Sequence, residues 1–403
     1  MSKTKNIVLF IIAAIGLLVL PHVLQQFGNA WVRIADVALL YCLLALGLNI
    51  VVGYAGLLDL GYVAFFAIGA YLYALLSSPH LTDTFPAIKA IFPNGLHTPL
   101  LVVIPLALGL AGIFGVLLGA PTLKLRGDYL AIVTLGFGEI IRVFLNTLDH
   151  PVNVTNGAKG LSAIDPVHFW GLNLGKPFKP GEYVPEFGNY AVSSVTLYYY
   201  LFLAFVIATI IISHRLQKSR IGRGWMAIRE DEIAAKAMGI NTRNMKLLAF
   251  GMGASFGGVS GAMFASFQSA ITPESFNLME SVMIVAMIVL GGIGHLPGVI
   301  LGAVLLSALP EVLRYVAGPL QAMTDGRLDA SILRQLFIAL AMIIIMLVRP
   351  RGLWPSPDHG KSLATAKGSP VPIDGSIQQH GSGLEAPSDE VPGGAARPMS
   401  INP

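Results

Sequence analysis

Long apolar segments recur along this chain and are separated by short polar stretches. A helix needs about 20 apolar residues to cross about 30 Å of hydrocarbon. By that measure the pattern predicts about ten spans, at residues 7–27, 34–53, 60–77, 99–120, 129–147, 195–213, 247–268, 279–293, 298–316 and 331–348. The segments lack the alternation of a β-barrel, and lipid permits no open sheet. The chain is therefore predicted to be all-α, a polytopic bundle of transmembrane helices.

Composition supports a membrane protein. Hydrophobic residues make up 54% of the chain and charged residues only 12%, against about 25% charged residues in an average soluble protein. The net charge of +4 reflects basic loops, so we expect a lipid bilayer and no nucleic acid as a partner. The single cysteine, Cys42, lies inside an apolar span, which excludes a disulfide within the chain and suggests no metal site.

Basic residues concentrate in the segments that fall on one side of the membrane if the spans alternate. They precede the first span, follow the fourth and the last, and crowd the loop at 214–246. The segments 148–194 and 317–330 have balanced charge. The positive-inside rule then predicts that both termini are cytoplasmic.

The chain divides into a membrane domain at 1–354 and a tail at 355–403. Within the domain, 148–194 is predicted to be an external loop and 214–246 a cytoplasmic loop. The tail is rich in Pro, Gly, Ser and Ala, which predicts disorder. The interval 279–316 is open to two interpretations. Its Gly-rich interruption at 291–298 suits either a tight turn between two spans or the tip of a re-entrant hairpin.

The most polar stretch between apolar segments is 219–241. Its alanines predict a short helix from about Trp225 to Met238, which Gly239 would end. Such a charged helix must lie at the water interface, either on lipid headgroups or against a soluble partner. The acidic run at 230–232 favours the partner, because anionic lipids would repel it.

Two charges, Glu139 and Arg142, lie deep in the fifth span and three residues apart, on one helix face. Charges within a membrane are costly and usually face a bundle interior or a wet cavity. The pair is interpreted either as part of a translocation path or as a structural ion pair that joins two helices. Asp59 precedes the third span, where it suits a helix N-cap.

Small residues recur every fourth position in two spans. Gly253, Gly257 and Gly261 continue to Ala265 in the seventh span, and Ala111, Gly115 and Gly119 do the same in the fourth. Such stripes let helix backbones approach closely in lipid, within this chain or against a second membrane subunit.

No phosphate-binding loop of the form Gly-x-x-x-x-Gly-Lys-[Ser/Thr] occurs in the chain. Gly360-Lys361-Ser362 approaches the pattern, but Pro355 occupies the position of the first glycine. No metalloprotease or hydrolase motif is present either. The chain is therefore predicted not to be an enzyme, and it carries no ATPase site of its own to drive transport.

Seven separated motifs resemble the LivM-type membrane subunits of branched-chain amino-acid ABC importers, in the order found in that family. They are Gly53-Tyr54-Ala55-Gly56-Leu57-Leu58, the segment 126–142, the segment 227–234, Lys246-Leu247-Leu248-Ala249-Phe250, Pro273-Glu274-Ser275-Phe276, Val289-Leu290-Gly291-Gly292 and Arg349-Pro350-Arg351-Gly352-Leu353. The resemblance covers about residues 34–354, so the membrane domain would be a permease domain.

The resemblance implies a multi-pass permease subunit in a bacterial inner membrane. Its partners would be a second permease subunit, two cytoplasmic ATPase subunits that bind the ATP, and an extracytoplasmic binding protein that delivers Leu, Ile or Val. This chain would need no cofactor of its own. The family's coupling loop corresponds to 219–241, with the candidate residues Arg223, Arg229, Glu230, Asp231, Glu232, Ala235 and Gly239.

Candidates for the translocation path are Glu139, Arg142, Asp59, Thr155, Asn156 and Gly157. The chain departs from the family at two of these places. Thr155-Asn156-Gly157 stands where Thr-Gly-Gly is common, and Asp59 stands where many relatives have a serine or an apolar residue.

Two alternatives stay open. Importers of the same architecture carry urea, amides or aromatic acids, and substrate identity rests on the resemblance alone. A self-sufficient secondary transporter that uses Glu139 as an ion or proton site is the other possibility. The segment 219–241 argues against it, because such a carrier needs no docking surface for a soluble subunit.

Overall fold

The computed structural model describes residues 3–93, 95–122, 125, 127–169, 172–178, 192–323, 336, 339–340, 343–344, 347–349 and 352–354. These residues are mostly helical, as predicted. The α-helices are α1 (Lys3–Gln26), α2 (Asn29–Asn49), α3 (Val63–Ser77), α4 (His80–Thr84), α5 (Pro86–Ile91), α6 (Leu100–Thr122), α7 (Asp128–Thr147), α8 (Ser194–Lys218), α9 (Arg220–Glu230), α10 (Glu232–Ala237), α11 (Thr242–Gln268), α12 (Leu278–Gly291) and α13 (Leu296–Met323). A π-helical turn, Ile50–Tyr54, continues α2.

Among the described residues, five helical stretches are long and apolar enough to cross a membrane. They are Asn29–Tyr54, Leu100–Thr122, Tyr129–Thr147, Ser194–Lys218 and Thr242–Gln268. The other predicted spans before residue 324 also correspond to helices. The predicted span at 331–348 lies largely outside the described residues, and the tail at 355–403 lies entirely outside them.

The loop at 148–194 carries the strands found in the described part of the chain. β1 (His168–Phe169) and β2 (Leu172–Asn173) form one antiparallel pair. Leu161 forms a bridge with Ile271, just after α11, and the backbone N–H of Val167 donates to the hydroxyl of Tyr198 in α8 at 3.2 Å. The described part of this loop is therefore folded against the helix ends.

The central element of the bundle is α11. It makes its most extensive contacts with α6 and α3, and it also packs against α2. These contacts belong to one continuous core of buried apolar residues, which includes the aromatic group Phe66, Phe264 and Phe276. Lipid tails are as apolar as the helix surfaces, so moving an apolar surface from lipid to a neighbouring helix gains little. The association of these helices therefore depends on close packing.

Small residues make that packing possible. A Cβ atom at Gly261 would overlap the carbonyl oxygen of Phe66 in α3, and one at Gly253 would overlap Val51 beside α2. Gly257 lies against Phe65 and Tyr62. The stripe predicted in the seventh span packs closely at these three glycines, and the residues that they meet lie within this chain.

The stripe in α6 meets the other side of α11. A Cβ at Gly115 would lie 2.5 Å from the Cβ of Ala254, and one at Gly258 would lie 2.6 Å from the Cβ of Ala111. The central helix thus presents small residues to two neighbours at once.

The apolar helices α3 and α12 are too short to cross the hydrocarbon alone. α3 has 15 residues and α12 has 14, so each is about 22 Å long at a rise of 1.5 Å per residue. Their first turns meet inside the bundle, where the N–H of Val63 donates to the hydroxyl of Ser281 at 3.0 Å. Interrupted helices of this kind often border transport sites.

The interval 279–316 forms a tight helical hairpin. Gly292 and Gly294 have φ angles of 123° and 82° in the turn, and a Cβ at Gly291 would overlap the carbonyl oxygen of Gly298 on the returning helix. A helix–turn–helix fits both a link between two spans and the tip of a re-entrant element, so both interpretations stay open for this hairpin. Its first arm, α12, is too short to be a complete span.

We predict that replacing Gly261 by Ala strongly destabilises the bundle. The added methyl would collide with the backbone of α3, and overpacking of this kind costs about 1–3 kcal/mol. Gly109→Ala is the matched control, because a Cβ at Gly109 meets no atom within 4 Å. Thermal unfolding of the detergent-purified variants, followed by size-exclusion chromatography, measures the effect. Equal midpoints for the two variants would contradict the packing assigned to Gly261.

Candidate functional site

The charged segment at 219–241 folds as two helices rather than one. α9 begins at Arg220, five residues before the predicted start, and ends at Glu230. The chain then becomes extended at Asp231, with φ of −154°, before α10 begins. The prediction of one continuous helix from Trp225 to Met238 is therefore wrong.

Asp231 causes the break. Its Oδ1 accepts hydrogen bonds from the N–H of Ile233 at 2.7 Å and of Ala234 at 3.1 Å. An aspartate at the N-cap satisfies amides that would otherwise have no partner at the start of a helix. This gain favours a new helix over continuation of the old one.

Gly239 ends α10, as predicted. It has a φ of 84°, and its N–H donates to the carbonyl of Lys236 while that of Ile240 donates to the carbonyl of Ala235. This pair of hydrogen bonds is a Schellman motif, which glycine favours because the position is left-handed. Ala235, which lies within α10, is buried.

Trp225 anchors α9 to the membrane domain. Its ring is fully buried, and its indole N–H donates to the carbonyl of Met245 in α11 at 2.7 Å. A buried indole nitrogen needs such an acceptor. The helix is therefore held in place by a large apolar side chain with a satisfied donor.

Arg229 connects the segment to both discontinuous parts of the bundle. Its Nη1 donates to the carbonyl oxygen of Gly53, in the π-helical turn, at 2.5 Å. A Cβ at Gly56 would lie 2.8 Å from the Arg229 Cγ, and one at Gly294 would lie 2.9 Å from its Nη1. Glycines at these positions leave room for the arginine between the loop that leads to α3 and the turn that leads to α13.

Glu232 joins α10 to α11 through an ion pair. Its Oε2 lies 2.8 Å from the Nζ of Lys246, which is 6% exposed, and its Oε1 lies 3.4 Å from the Nζ of Lys236. Burial tends to raise the pKa of Glu232, but the two lysines outweigh it and hold that pKa below the usual glutamate value. The Glu232 carboxylate is therefore ionised throughout the physiological pH range.

A cleft of about 390 Å³ lies between this segment and the membrane domain. Its walls come from three places: the turn after α2, the start of α7 and the helices α9 to α11. The lining residues are Ala55, Gly56, Leu57, Leu58, Leu125, Gly127, Leu130, Ile228, Arg229, Asp231, Glu232, Ile233 and Lys246.

The outer surface of the segment combines charges with two exposed apolar side chains. Arg223, which donates to the carbonyl of Lys218 at 2.8 Å, and Glu230 are exposed. Ile233 is 70% exposed and Met238 is 81% exposed. Apolar side chains that project this far into water, rimmed by charges, are typical of protein interfaces.

Arg142 bridges two carboxylates at the edge of α7. Its Nη2 lies 2.5 Å from the Oε1 of Glu139 in its own helix. Its Nη1 lies 3.2 Å from the Oε1 of Glu274, in the short 3-10 helix before α12. All three side chains are partly exposed. Both interpretations of the pair are compatible with this geometry, because the cluster ties α7 to the start of α12 and also faces an open cleft with Asn277, Leu278, Met279 and Val282.

Asp59 is fully buried and does not cap α3. Its Oδ1 accepts a hydrogen bond from the N–H of Gly61 at 2.9 Å, whereas the helix begins two residues later at Val63, after Tyr62. The N-cap interpretation is therefore wrong, because the side chain closes the preceding turn instead.

Thr155, Asn156 and Gly157 form one turn in the loop after α7. The hydroxyl of Thr155 donates to the carbonyl of Leu145 at 2.7 Å, and Asn156 adopts a left-handed conformation and donates from its side chain to the carbonyl of Gly160 at 2.8 Å. These hydrogen bonds hold the loop on α7. The turn contributes no residue to the clefts beside Glu139, and its role in a path stays a prediction.

Trp225, Ile233, Met238, Lys246 and Ser281 were not selected by the sequence reasoning. Trp225, Ile233 and Met238 lie within the charged segment, where an apolar side chain itself indicates a contact with another part of the protein or with a partner. Lys246 lies at the start of a span, where a buried charge predicts a counterion. Ser281 carried no signal.

No three His, Cys, Asp or Glu side chains in the described ranges come together as metal ligands do. Cys42 is buried and unoxidised.

Residues 30–347 match the family described as the permease component of branched-chain amino acid transport systems. That range includes every cleft and contact described above. No solved structure matches the chain at a significant level.

Individual relatives agree with this match. The chain is 38% identical to the high-affinity branched-chain amino acid transport system permease protein LivM of Escherichia coli, over 86% of this chain and 75% of that protein. It is 39% identical to the LivM protein of Salmonella typhimurium, over 80% of this chain and 70% of that protein. Similarity to the E. coli permease protein LivH is lower, at 24% identity over 84% of this chain and 98% of that protein.

On this match and on its multi-pass helical fold, the chain belongs to the family of branched-chain amino acid transport permease components.

Proposed function

We propose that this chain is a permease subunit of an ATP-driven importer that moves Leu, Ile and Val inward across a bacterial inner membrane. The substrate class is supported by the names of the LivM relatives, which share more than a third of their aligned residues with this chain. The direction and the energy source are those of the importers that the sequence resembles.

The observation that carries the proposal is the attachment of the charged segment. Arg229 touches the backbone before α3 and lies beside the turn before α13, while Trp225 and Glu232 fix α9 and α10 to α11. A force on α9 and α10 would therefore act on both interrupted parts of the bundle. This is the connection that an ATPase in a separate subunit needs in order to favour one membrane arrangement over another.

The proposed topology has about ten spans with both termini in the cytoplasm. The basic loop at 214–246 supports it, because Arg215, Lys218, Arg220 and Arg223 follow the apolar length of α8 directly. The charged segment then lies on the cytoplasmic side, where ATP is available. The loop at 148–194 lies outside, where a binding protein can reach it.

The proposed assembly contains this chain, a second permease subunit, two ATPase subunits and a binding protein. Similarity of the chain to both LivM and LivH proteins supports a core of two related permeases. ATP would be bound by the ATPase subunits, and this chain would carry neither a catalytic site nor a cofactor.

Uptake of radiolabelled leucine at low micromolar concentration tests the substrate. We expect a strain that lacks this chain to lose the uptake and a complemented strain to recover it. A strain without redundant leucine systems is required as the background. Unchanged uptake on deletion would contradict the proposed substrate and redirect the search to urea, amides or aromatic acids.

Ile233→Glu tests the docking surface. A carboxylate at the tip of α10 would have to be desolvated in the interface with an ATPase subunit, so we expect about a tenfold loss of ATPase co-purification. Ile233→Leu is the matched control and should retain it. Normal co-purification of the Glu variant, with normal uptake, would exclude this tip from the interface.

Glu232→Gln tests the connection between α10 and α11. Removing the carboxylate leaves Lys246 buried without its closest counterion, so we expect α10 to detach at a cost of about 2 kcal/mol. Limited proteolysis of the 230–241 segment and leucine uptake are the measurements. Glu230→Gln is the control, because Glu230 is exposed, and equal protection of both variants would contradict the ion pair's role.

The same ion pair predicts a pH dependence. A glutamate with a lowered pKa stabilises the folded state above its unfolded pKa and loses that effect only as the pH falls through the lower, folded value. Protection of the segment from proteolysis should therefore be constant from pH 8 to the ordinary carboxyl range and should decline below it. A decline near neutral pH would contradict the lowered pKa.

A further inference from the structure

A small apolar cleft lies where the two interrupted helices begin. Its volume is about 150 Å³, and it opens between the first turns of α3 and α12 and the middle of α7. The lining residues are Leu60, Val63, Leu135, Gly138, Glu139, Phe276 and Leu278. Glu139 provides the one carboxylate on an otherwise apolar wall.

Backbone contacts fix the shape of this cleft. A Cβ at Gly61 would overlap the carbonyl oxygen of Thr134 in α7, and one at Gly138 would lie 3.3 Å from the Cα of Gly61. The N–H of Leu60 donates to the hydroxyl of Thr134 at 3.0 Å. The turn before α3 is therefore pressed against α7, and the cleft is a built feature rather than a gap between loose side chains.

A second, more open cleft of about 420 Å³ adjoins the first. Glu139 and Leu278 line both, so they mark the boundary between an apolar compartment and a charged one. The second cleft also contains Arg142 and the residues at the start of α12, Asn277 and Met279. The positive end of the α12 dipole faces this region.

The charges here do not suit contact with lipid. Arg142 pairs with two carboxylates, which leaves the cluster with one net negative charge, and exposed apolar residues such as Ile140 and Val143 surround it. Ionised groups in hydrocarbon are costly, so this face must meet water or a second membrane subunit.

We propose that the two clefts form one substrate contact site, in which the branched side chain enters the apolar cleft while the charged groups bind at its mouth. The ammonium group contacts Glu139. The carboxylate contacts Arg142 and the N-terminus of α12. This inference rests on the proposed function and extends it to the residues that contact the amino acid.

The dimensions and charges match such a ligand. An apolar cavity of about 150 Å³ accommodates benzene, with six carbon atoms, and a leucine side chain has four. An amino acid carries one positive and one negative charge, and the mouth of the cleft offers both signs within one cluster. The open second cleft favours brief contact over tight binding, as passage through a path requires.

The test uses the complete importer in proteoliposomes, with the binding protein saturated separately with leucine or valine. Leu278→Phe and Leu135→Phe narrow the cleft from opposite walls. We expect both to lower the ratio of leucine uptake to valine uptake by about threefold to tenfold, since one methylene decides the fit. Val133→Phe, on the opposite face of α7 and outside both clefts, should leave the ratio unchanged.

A second pair of variants tests the charged mouth. Glu139→Gln removes the partner of the ammonium group and should lower uptake of both amino acids about tenfold without changing their ratio. Glu139→Asp should recover part of it. Quantifying the assembled complex and its basal ATPase activity separates these effects from misfolding.

The outcomes distinguish two failures. A wild-type importer that takes up neither amino acid overturns the proposed function and this inference with it. A wild-type importer that takes up both, while the assembled Phe variants keep the wild-type ratio, overturns the inference alone. Leu278 is 41% exposed, so Leu278→Phe keeps the test valid if Leu135→Phe does not assemble.

Discussion

Close backbone contact around α11 is the constraint on which the structure depends. Lipid is as apolar as the helix surfaces, so the bundle gains little by hiding apolar area and must gain from dense packing. Glycines meet α2 and α3 on one side of α11 and α6 on the other. Because that helix is so tightly held, its first turn, with Lys246 and Met245, offers a firm base for the charged segment.

The charged segment is the part of the chain that must remain in water while it acts on the membrane domain. Its contacts divide this task. The buried side chain of Trp225 anchors α9 to the membrane domain, and the ion pair of Glu232 with Lys246 fixes the position of α10 on α11. Arg229 reaches the backbone at the two places where the bundle is interrupted. The interrupted helices α3 and α12 meet each other through Val63 and Ser281, so the path of contact from α9 to the paired clefts is continuous.

The helices of the bundle could be predicted from the sequence, because a run of about twenty apolar residues can satisfy its backbone hydrogen bonds in a bilayer only as a helix. The small-residue stripe of α11 was predictable for the same reason, but its partners were not, since a stripe does not specify what it meets. The N-cap role of Asp59 failed because α3 begins three residues later than the predicted start of the span at residue 60. Asp231, a strong N-cap residue, interrupts a segment whose alanines favour one helix. The hydrogen bonds of this N-cap outweighed the helix propensity of the alanines.

The contact between Glu232 and Lys246 joins two helices and residues fourteen positions apart, which no periodicity reveals.

The late start of α3 was likewise hidden, because the apolar turn before Val63 resembles a continuation of the helix, whereas the predicted span at 279–293 was already about as short as α12. Because these helices are shorter than a full span, their first turns lie inside the bundle, beside the cleft that contains Glu139. The chemistry of the site thus depends on where helices begin, which is the property that a hydrophobic pattern defines least well.

The most direct test of the account measures two spin-label distances in the assembled importer, without nucleotide and with ATP trapped. Cys42 is buried and is the only cysteine in the sequence, so introduced cysteines react selectively. One pair joins Glu230 in α9 to Ile293 in the turn before α13, and the other joins Val143 in α7 to Met279 in α12. The account predicts that the first distance stays constant, because Arg229 holds these parts together, while the second changes as the site opens and closes. A change in the first distance would contradict the claim that the charged segment and the interrupted helices move as one unit.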